Sequence, residues 1–258
     1  MQAATELAKA LGTRHRTRLR EMWRSAGWPC RDAVELDLLA AGLLDSHRDG
    51  DGRETLHPSP AGLAWLAAAR RRAQAGLDAH EAIVEHVARE MQRAGRITWR
   101  RLALRAPLAQ EDGRTSWVMA MPDVFSIRHT TVEDYVEPVV HEIKVSRADL
   151  LADLKRPAKG QAYLALSSQC WYVVREGLCD PDELPACYGL LLARDEAGQQ
   201  RLDVVRPAPR RPMKPGLALW MALARAAAEP APEDCGQDGL MPADVPTDRR
   251  AHSATPSR

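Results

Sequence analysis

At Gly95 the chain changes period, and that change limits which folds it can form. Upstream, "GLDAHEAIVEHVAREMQRAG" (76–95) sets Ile83, Val87 and Met91 four apart, the spacing of one buried helical stripe, with Gly95 as a stop. Asp78 and Glu81 stand there as an N-cap and its third-position partner. Downstream come three strand-like runs, "RITWRRLAL" (96–104), "SWVMAMPDVFSIR" (116–128) and "VEPVVHEIKV" (136–145). Helices over 146–154 and 158–167 precede the apolar strand "CWYVV" (170–174). "YGLLLAR" and "LDVVRPA" then flank a turn at Asp195 to Gly198, and "GLALWMALARAAA" (216–228) reads as a last helix. This order predicts an α/β core over 77–228, a mixed central sheet flanked by helices.

The first 76 residues read differently. A basic stretch (5–26) interleaves Arg14, Arg16, Arg18, Arg20 and Arg24 with Leu11, Leu19, Met22 and Trp23. An amphipathic helix closed by Gly42, an Asp51-Gly52 turn and a helix from Pro60 follow. Helix, helix, hairpin, helix is the order of a winged-helix-like DNA-binding domain; a small helical docking module has the same pattern. From Glu229, Pro, Asp, Gly and Ser dominate with little to bury, so 229–258 is expected to be disordered.

Formal net charge is only +1, which says little about a polyanionic partner, but residues 229–258 carry six acids against three arginines. The remainder is therefore mildly basic. Of only five lysines against 31 arginines, Lys144, Lys155 and Lys159 lie within sixteen residues of one another. A site needing a compact ammonium would resist such a coding bias. The five cysteines form no CxxC pair, and no run of about eighteen apolar residues exists. A cytoplasmic protein with reduced thiols and no membrane partner is expected.

The chemistry concentrates in "HEIKVSRADL" (141–150). Alternation along a strand puts Val140, Glu142 and Lys144 on one face and Ile143 and Val145 on the other. If 122–128 and the strand after it form an antiparallel hairpin, its midpoint lies between Val132 and Glu133, and Asp123 pairs with Glu142. Two neighbouring carboxylates, with a backbone carbonyl such as that of Ile143, suit Mg²⁺ or Mn²⁺ rather than zinc. A lysine beside the ion would orient or deprotonate a water, or stabilise charge on a phosphorane-like transition state.

"PDVF" followed by "EIK" resembles the PD-(D/E)xK phosphodiesterase core, over about residues 78–175. Within it, "EIKVSRADLLADLKRPAKGQAYLALSSQCWYVV" is similar to MmcB-related bacterial DNA-repair proteins. The resemblance implies a restriction-endonuclease-like fold, metal-dependent DNA cleavage, Asp123 and Glu142 as metal ligands and Lys144 as the catalytic lysine. It also implies a glutamate from the first core helix, where Glu81, Glu85 and Glu90 stand, and Glu85 is preferred because a cap accounts for Glu81. Lys159, Gln161 and Tyr163 would face the substrate, and Arg147 is a candidate phosphate contact. A homodimer is compatible with this reading.

Simpler readings stand beside these. Ser146 and Asp149 form a helix cap with equal ease, and Arg89, Arg93 and Arg96 repeat as a solvated helical face would. Trp28, Trp65, Trp171 and Trp220 are expected in cores. The alternative function is a nuclease-fold binding protein or regulator with cleavage weak or lost.

Overall fold

In a computed structural model of the chain, residues 10–110, 112–196 and 199–230 are described. The N-terminal unit runs through α1 (Thr13–Arg24), α2 (Ala33–Ala40), β1 (Leu44–Arg48) and β2 (Glu54–Pro58) into α3 (Pro60–Arg93). Asp32 caps α2 by accepting from the Glu35 amide, and Ser59 caps α3 by accepting from that of Gly62. The hairpin turns where Asp49 Oδ1 accepts the amides of Asp51 and Arg53, with Gly52 at φ 79°. Leu19, Met22, Leu38, Leu43, Leu44 and Leu56 close a small core. Gly62 is required there, since a Cβ would collide with the Leu43 carbonyl.

α3 is one helix of 34 residues, although the sequence suggests a new start near Asp78. Asp78 is not a cap: its Oδ1 accepts from Gln74 Nε2 at 2.8 Å, one turn back. Gly76 costs a helix only about 1 kcal/mol relative to alanine, and the alanine-rich flanks with no proline absorb it. The expected boundary at 76/77 therefore lies inside a continuous helix.

The core sheet has six strands in the order β10-β9-β8-β7-β6-β3. These are β3 (Arg96–Arg100), β6 (Val124–Arg128), β7 (Val139–Lys144), β8 (Gln169–Arg175), β9 (Gly189–Glu196) and β10 (Gln199–Arg206). β7, β8 and β9 pair in parallel, and the other three pairings are antiparallel. Two expected strands are split. The run 96–104 ends at Arg100, and 116–128 divides around Pro122; the pieces β4 (Leu104–Ala109) and β5 (Thr115–Ala120) pair as a separate ribbon. Arg101, at φ 52°, turns the chain, and Pro122 has no N–H to carry a ladder onward.

α3 covers one face of the sheet, packing Ile83, Val84 and Val87 on Val124, Ile143 and Val173. On the other face lie the ribbon, α4 (Arg147–Leu154), α5 (Pro157–Leu166) and α6 (Leu217–Arg225). There Tyr163, Leu166 and Leu219 join Phe125, Val140, Tyr172 and Val174 in the main core. Among the described residues no helix is long and apolar enough to cross a membrane.

Three expectations need correction. Glu229, assigned to a disordered tail, is pinned: its amide donates to Thr98 O at 2.8 Å and its carboxylate holds Arg100 at 2.9 Å. The tail from 231 onward lies outside the described residues. Trp28 is exposed, in the loop before Pro29, while Trp65, Trp171 and Trp220 are half-buried. Arg96 is not part of a solvated helical face. Its guanidinium donates to Ser126 Oγ and to the Glu137 carbonyl, and burial lowers its pKa to about 10.

Candidate functional site

Every residue of β7 is buried. β6 and β7 pair with Val124 opposite His141 and Phe125 opposite Val140, the register the hairpin midpoint predicts, and its continuation by one residue sets Asp123 against Glu142. The link is physical: Asp123 Oδ2 accepts the Ile143 amide at 2.7 Å. The Ile143 side chain turns to the α3 face, so only its backbone belongs to the site.

Glu142 and Lys144 stand together, as the alternation predicts. Lys144 Nζ donates to Glu142 Oε1 at 2.8 Å, and Lys159 Nζ, from α5, reaches the same oxygen at 2.6 Å. The other oxygen, Glu142 Oε2, is buried with no hydrogen-bond partner. Burial and then the neighbouring Asp123 charge push the Glu142 carboxyl up, and the two lysines only partly oppose them. Burial also works against the charge on Lys144, but Glu142, Asp153 and Asp149 outweigh it and its pKa is raised. Lys144 is thus held as an ammonium at neutral pH.

Three neighbours escape a reading of the sequence. Asp153, on α4, accepts Lys159 Nζ at 2.6 Å and Tyr172 Oη–H at 2.8 Å, and lies 3.7 Å from Lys144 Nζ. Its spacing from Asp149, which is 3.3 Å from Lys144, was the available signal: residues four apart share a helical face. Tyr172 lies opposite Glu142 in the β7–β8 ladder, inside what reads as a purely apolar strand. His80, on α3, sets Nε2 3.4 Å from Asp123 Oδ2; a hydrogen bond to Asp123 raises its pKa against the opposing effect of burial.

The remaining candidates divide. Tyr163 is fully buried; its hydroxyl donates to the Met121 carbonyl at 3.1 Å, and burial with the nearby Glu142 charge pushes the phenol up. Lys159 Nζ lies 5.4 Å above its ring, as two residues of one helical face should. Gln161 is exposed on the far side of α5, and Lys155 is exposed beyond α4. Arg147 points away from the carboxylates, donating to both oxygens of Glu183, at 2.9 and 2.6 Å, and to the Leu178 carbonyl. Ser146 caps α4 by accepting from the Asp149 amide at 3.2 Å. Glu85 is exposed and lies 3.8 Å from Arg89. Glu81, freed of the capping role, pairs with Arg101 and contacts His80, which in turn meets Asp123.

The donor set fits a hard divalent cation in part. The Asp123 charge bears on Glu142, Glu142 Oε2 is buried without a hydrogen bond, and Asp123, Glu142, Asp149 and Asp153 outnumber Lys144 and Lys159. Among the described residues no group of three or more His, Cys, Asp and Glu converges as a metal ion requires, so water and backbone oxygens would complete the shell.

No family model matches the chain, and no curated protein does. Among solved structures it is similar to the SPO1766 protein of unknown function from Silicibacter pomeroyi, with 27% identity over 54% of this chain and 82% of that one and a TM-score of 0.34.

Proposed function

We propose that the chain is a metal-dependent deoxyribonuclease of the PD-(D/E)xK type, acting in DNA repair or processing, with a winged-helix-like unit before its catalytic core. One observation carries the reading: the buried Glu142 carboxylate stands 2.8 Å from the buried Lys144 ammonium, on a strand whose Ile143 amide is held by Asp123, and the Asp123 charge bears on Glu142. Glu142 Oε2 is one of several buried polar atoms without a hydrogen bond, and it is the one on an acid of this cluster, where a cation would offset a cost of about 1–3 kcal/mol.

Asp123, Glu142 and the Ile143 carbonyl would hold Mg²⁺ or Mn²⁺. Such an ion, when bound, acidifies a water and polarises a phosphoryl oxygen. Lys144, beside Glu142, Asp149 and Asp153, would orient the attacking water or stabilise the negative charge that grows on the phosphorus oxygens. Asp153 and Tyr172 fix the position of Lys159, and Tyr163 fixes the Met121 carbonyl just before Pro122 and Asp123. His80 and the Ile143 amide orient the Asp123 carboxylate.

The test is cleavage of supercoiled, branched and single-stranded DNA with Mg²⁺ or Mn²⁺. Asp123→Ala and Lys144→Ala should each lower the rate by about 10³-fold. Activity that survives both substitutions ends this reading. A second reading, a nuclease fold that binds without cutting, is favoured by Lys159, which bridges Glu142 and Asp153 at 2.6 Å each and closes the cluster on itself. Calorimetric titration with Mg²⁺ separates the two: a silent fold takes up no ion that Glu142→Ala abolishes.

A further inference from the structure

Between α1 and the first half of α3 runs an open groove of about 1010 Å³. Arg16, Arg20 and Arg24 line one wall at helical spacing, Arg70 and Arg72 line the other, and Trp23 stands at the edge with 62% of its surface exposed. Leucine and alanine side chains form the floor, and no acid lines it. Among the described residues Arg20, Arg24, Arg70 and Arg72 have no carboxylate partner, unlike Arg18, which Asp32 and Glu35 hold at 2.7 Å.

The surface that would read duplex DNA in a helix-turn-helix unit has the opposite character. There the second helix enters the major groove. Here α2 carries no cation, with Glu35 buried against Arg18 and Asp37 paired with His15, and the hairpin after it carries Asp45, Asp49, Asp51 and Glu54 against Arg48 and Arg53. Duplex phosphates would be repelled from that side. Cationic walls with an exposed indole and an apolar floor are what a single strand needs, because its unpaired bases stack on aromatic rings while arginines follow its phosphates.

We infer that the α1–α3 groove binds single-stranded DNA, with Arg16, Arg20, Arg24, Arg70 and Arg72 on the phosphates and Trp23 stacked on a base. The inference rests on the nuclease reading for its choice of nucleic acid over other polyanions, and it narrows the substrate class to DNA with an unpaired segment, such as a flap, gap or fork.

Fluorescence anisotropy tests it on the full chain in EDTA, where no metal-dependent cleavage proceeds. The probes are a labelled 30-mer, the matching duplex and an acidic amphipathic helical peptide. The expected result is tighter binding of the single strand than of the duplex. Arg20→Ala with Arg70→Ala should then lower the slope of log affinity against log salt by about 1.4, the share of two single-strand phosphate contacts. Trp23→Ala should weaken binding roughly tenfold, with an unchanged thermal midpoint to show an intact fold. Equal affinity for duplex and single strand, or a salt slope indifferent to the arginines, overturns the proposal. So does arginine-dependent binding of the peptide alone, which would make the groove a protein-docking site. Lys144→Ala keeps the outcomes distinct: in that variant strand binding persists even if cleavage is lost, and cleavage without groove binding removes this inference while leaving the nuclease.

Discussion

Two glutamates are taken almost wholly out of water, Glu35 in the N-terminal unit at 1% exposure and Glu142 in the core sheet at 3%. They are treated in opposite ways. Glu35 Oε1 accepts from Arg18 and the Cys30 amide, and Oε2 from the Cys30 and Arg31 amides at 2.8 and 2.6 Å, so both oxygens are matched and the loop before α2 is fixed. Glu142 concentrates its partners on one oxygen, two ammonium groups on Oε1, and leaves Oε2 bare. On the proposed reading the difference separates a carboxylate that organises backbone from one left for a ligand: burial is common to both, and completeness of pairing distinguishes them.

Conservative substitutions that remove the charge and keep the shape put that contrast at risk. Glu142→Gln should show the largest effect, a loss of cleavage of about 10³-fold. Its folding stability should change by less than about 1 kcal/mol, since the amide still offers an oxygen to the lysines. Saturating Mg²⁺ should stabilise the wild-type chain by about 2.7 kcal/mol at a hundred times its dissociation constant, and this gain should vanish in Glu142→Gln. Glu35→Gln should behave in reverse. Its amide cannot accept from both sides, so Arg18 and two backbone amides lose a matched partner at a cost of about 3 kcal/mol in denaturant unfolding, with Mg²⁺ affinity untouched. If the two substitutions gave the same profile, incomplete pairing would carry no functional meaning here.

This contrast was only half legible in the sequence. The hairpin register followed from the length of "HTTVED" and from alternation, both local properties, and so Val124 met His141 and Asp123 reached the Ile143 amide. The alternation of helices and strands was readable in outline for the same reason, but not that two of the expected strands are split, with β4 and β5 pairing apart from the sheet. What could not be read depended on distant partners. Nothing near Glu142 tells that Lys159 and Tyr172 converge on its cluster, because α4 and α5 must first pack on the sheet. The N-cap assigned to Asp78 failed because a capping pattern and an (i, i+4) pair use the same residues, and continuity of α3 decided between them. That error set Glu81 aside, although it contacts His80, which lies 3.4 Å from Asp123.

A third acid extends the comparison to the surface and gives the smallest expected effect. Glu183 is matched like Glu35, by both nitrogens of the Arg147 fork and by the Asp180 amide, but in solvent. Arg147 first and that amide second hold its carboxyl down, at about 2 against an ordinary 4.5. A depressed folded pKa contributes stability that is complete above the unfolded value and fades as pH falls through the folded one, so the contribution should be present above about pH 4.5 and lost toward pH 2. Arg147→Ala should raise the Glu183 carboxyl resonance midpoint toward the ordinary value and flatten that acid limb, with little change at pH 7 because an exposed pair is strongly screened. It should also leave DNA affinity near wild type, since the guanidinium is committed to Glu183 and the Leu178 carbonyl. A large loss of DNA binding in this variant would mean that Arg147 leaves Glu183 for a phosphate, and pairing in the free protein would then no longer tell structural charges from functional ones.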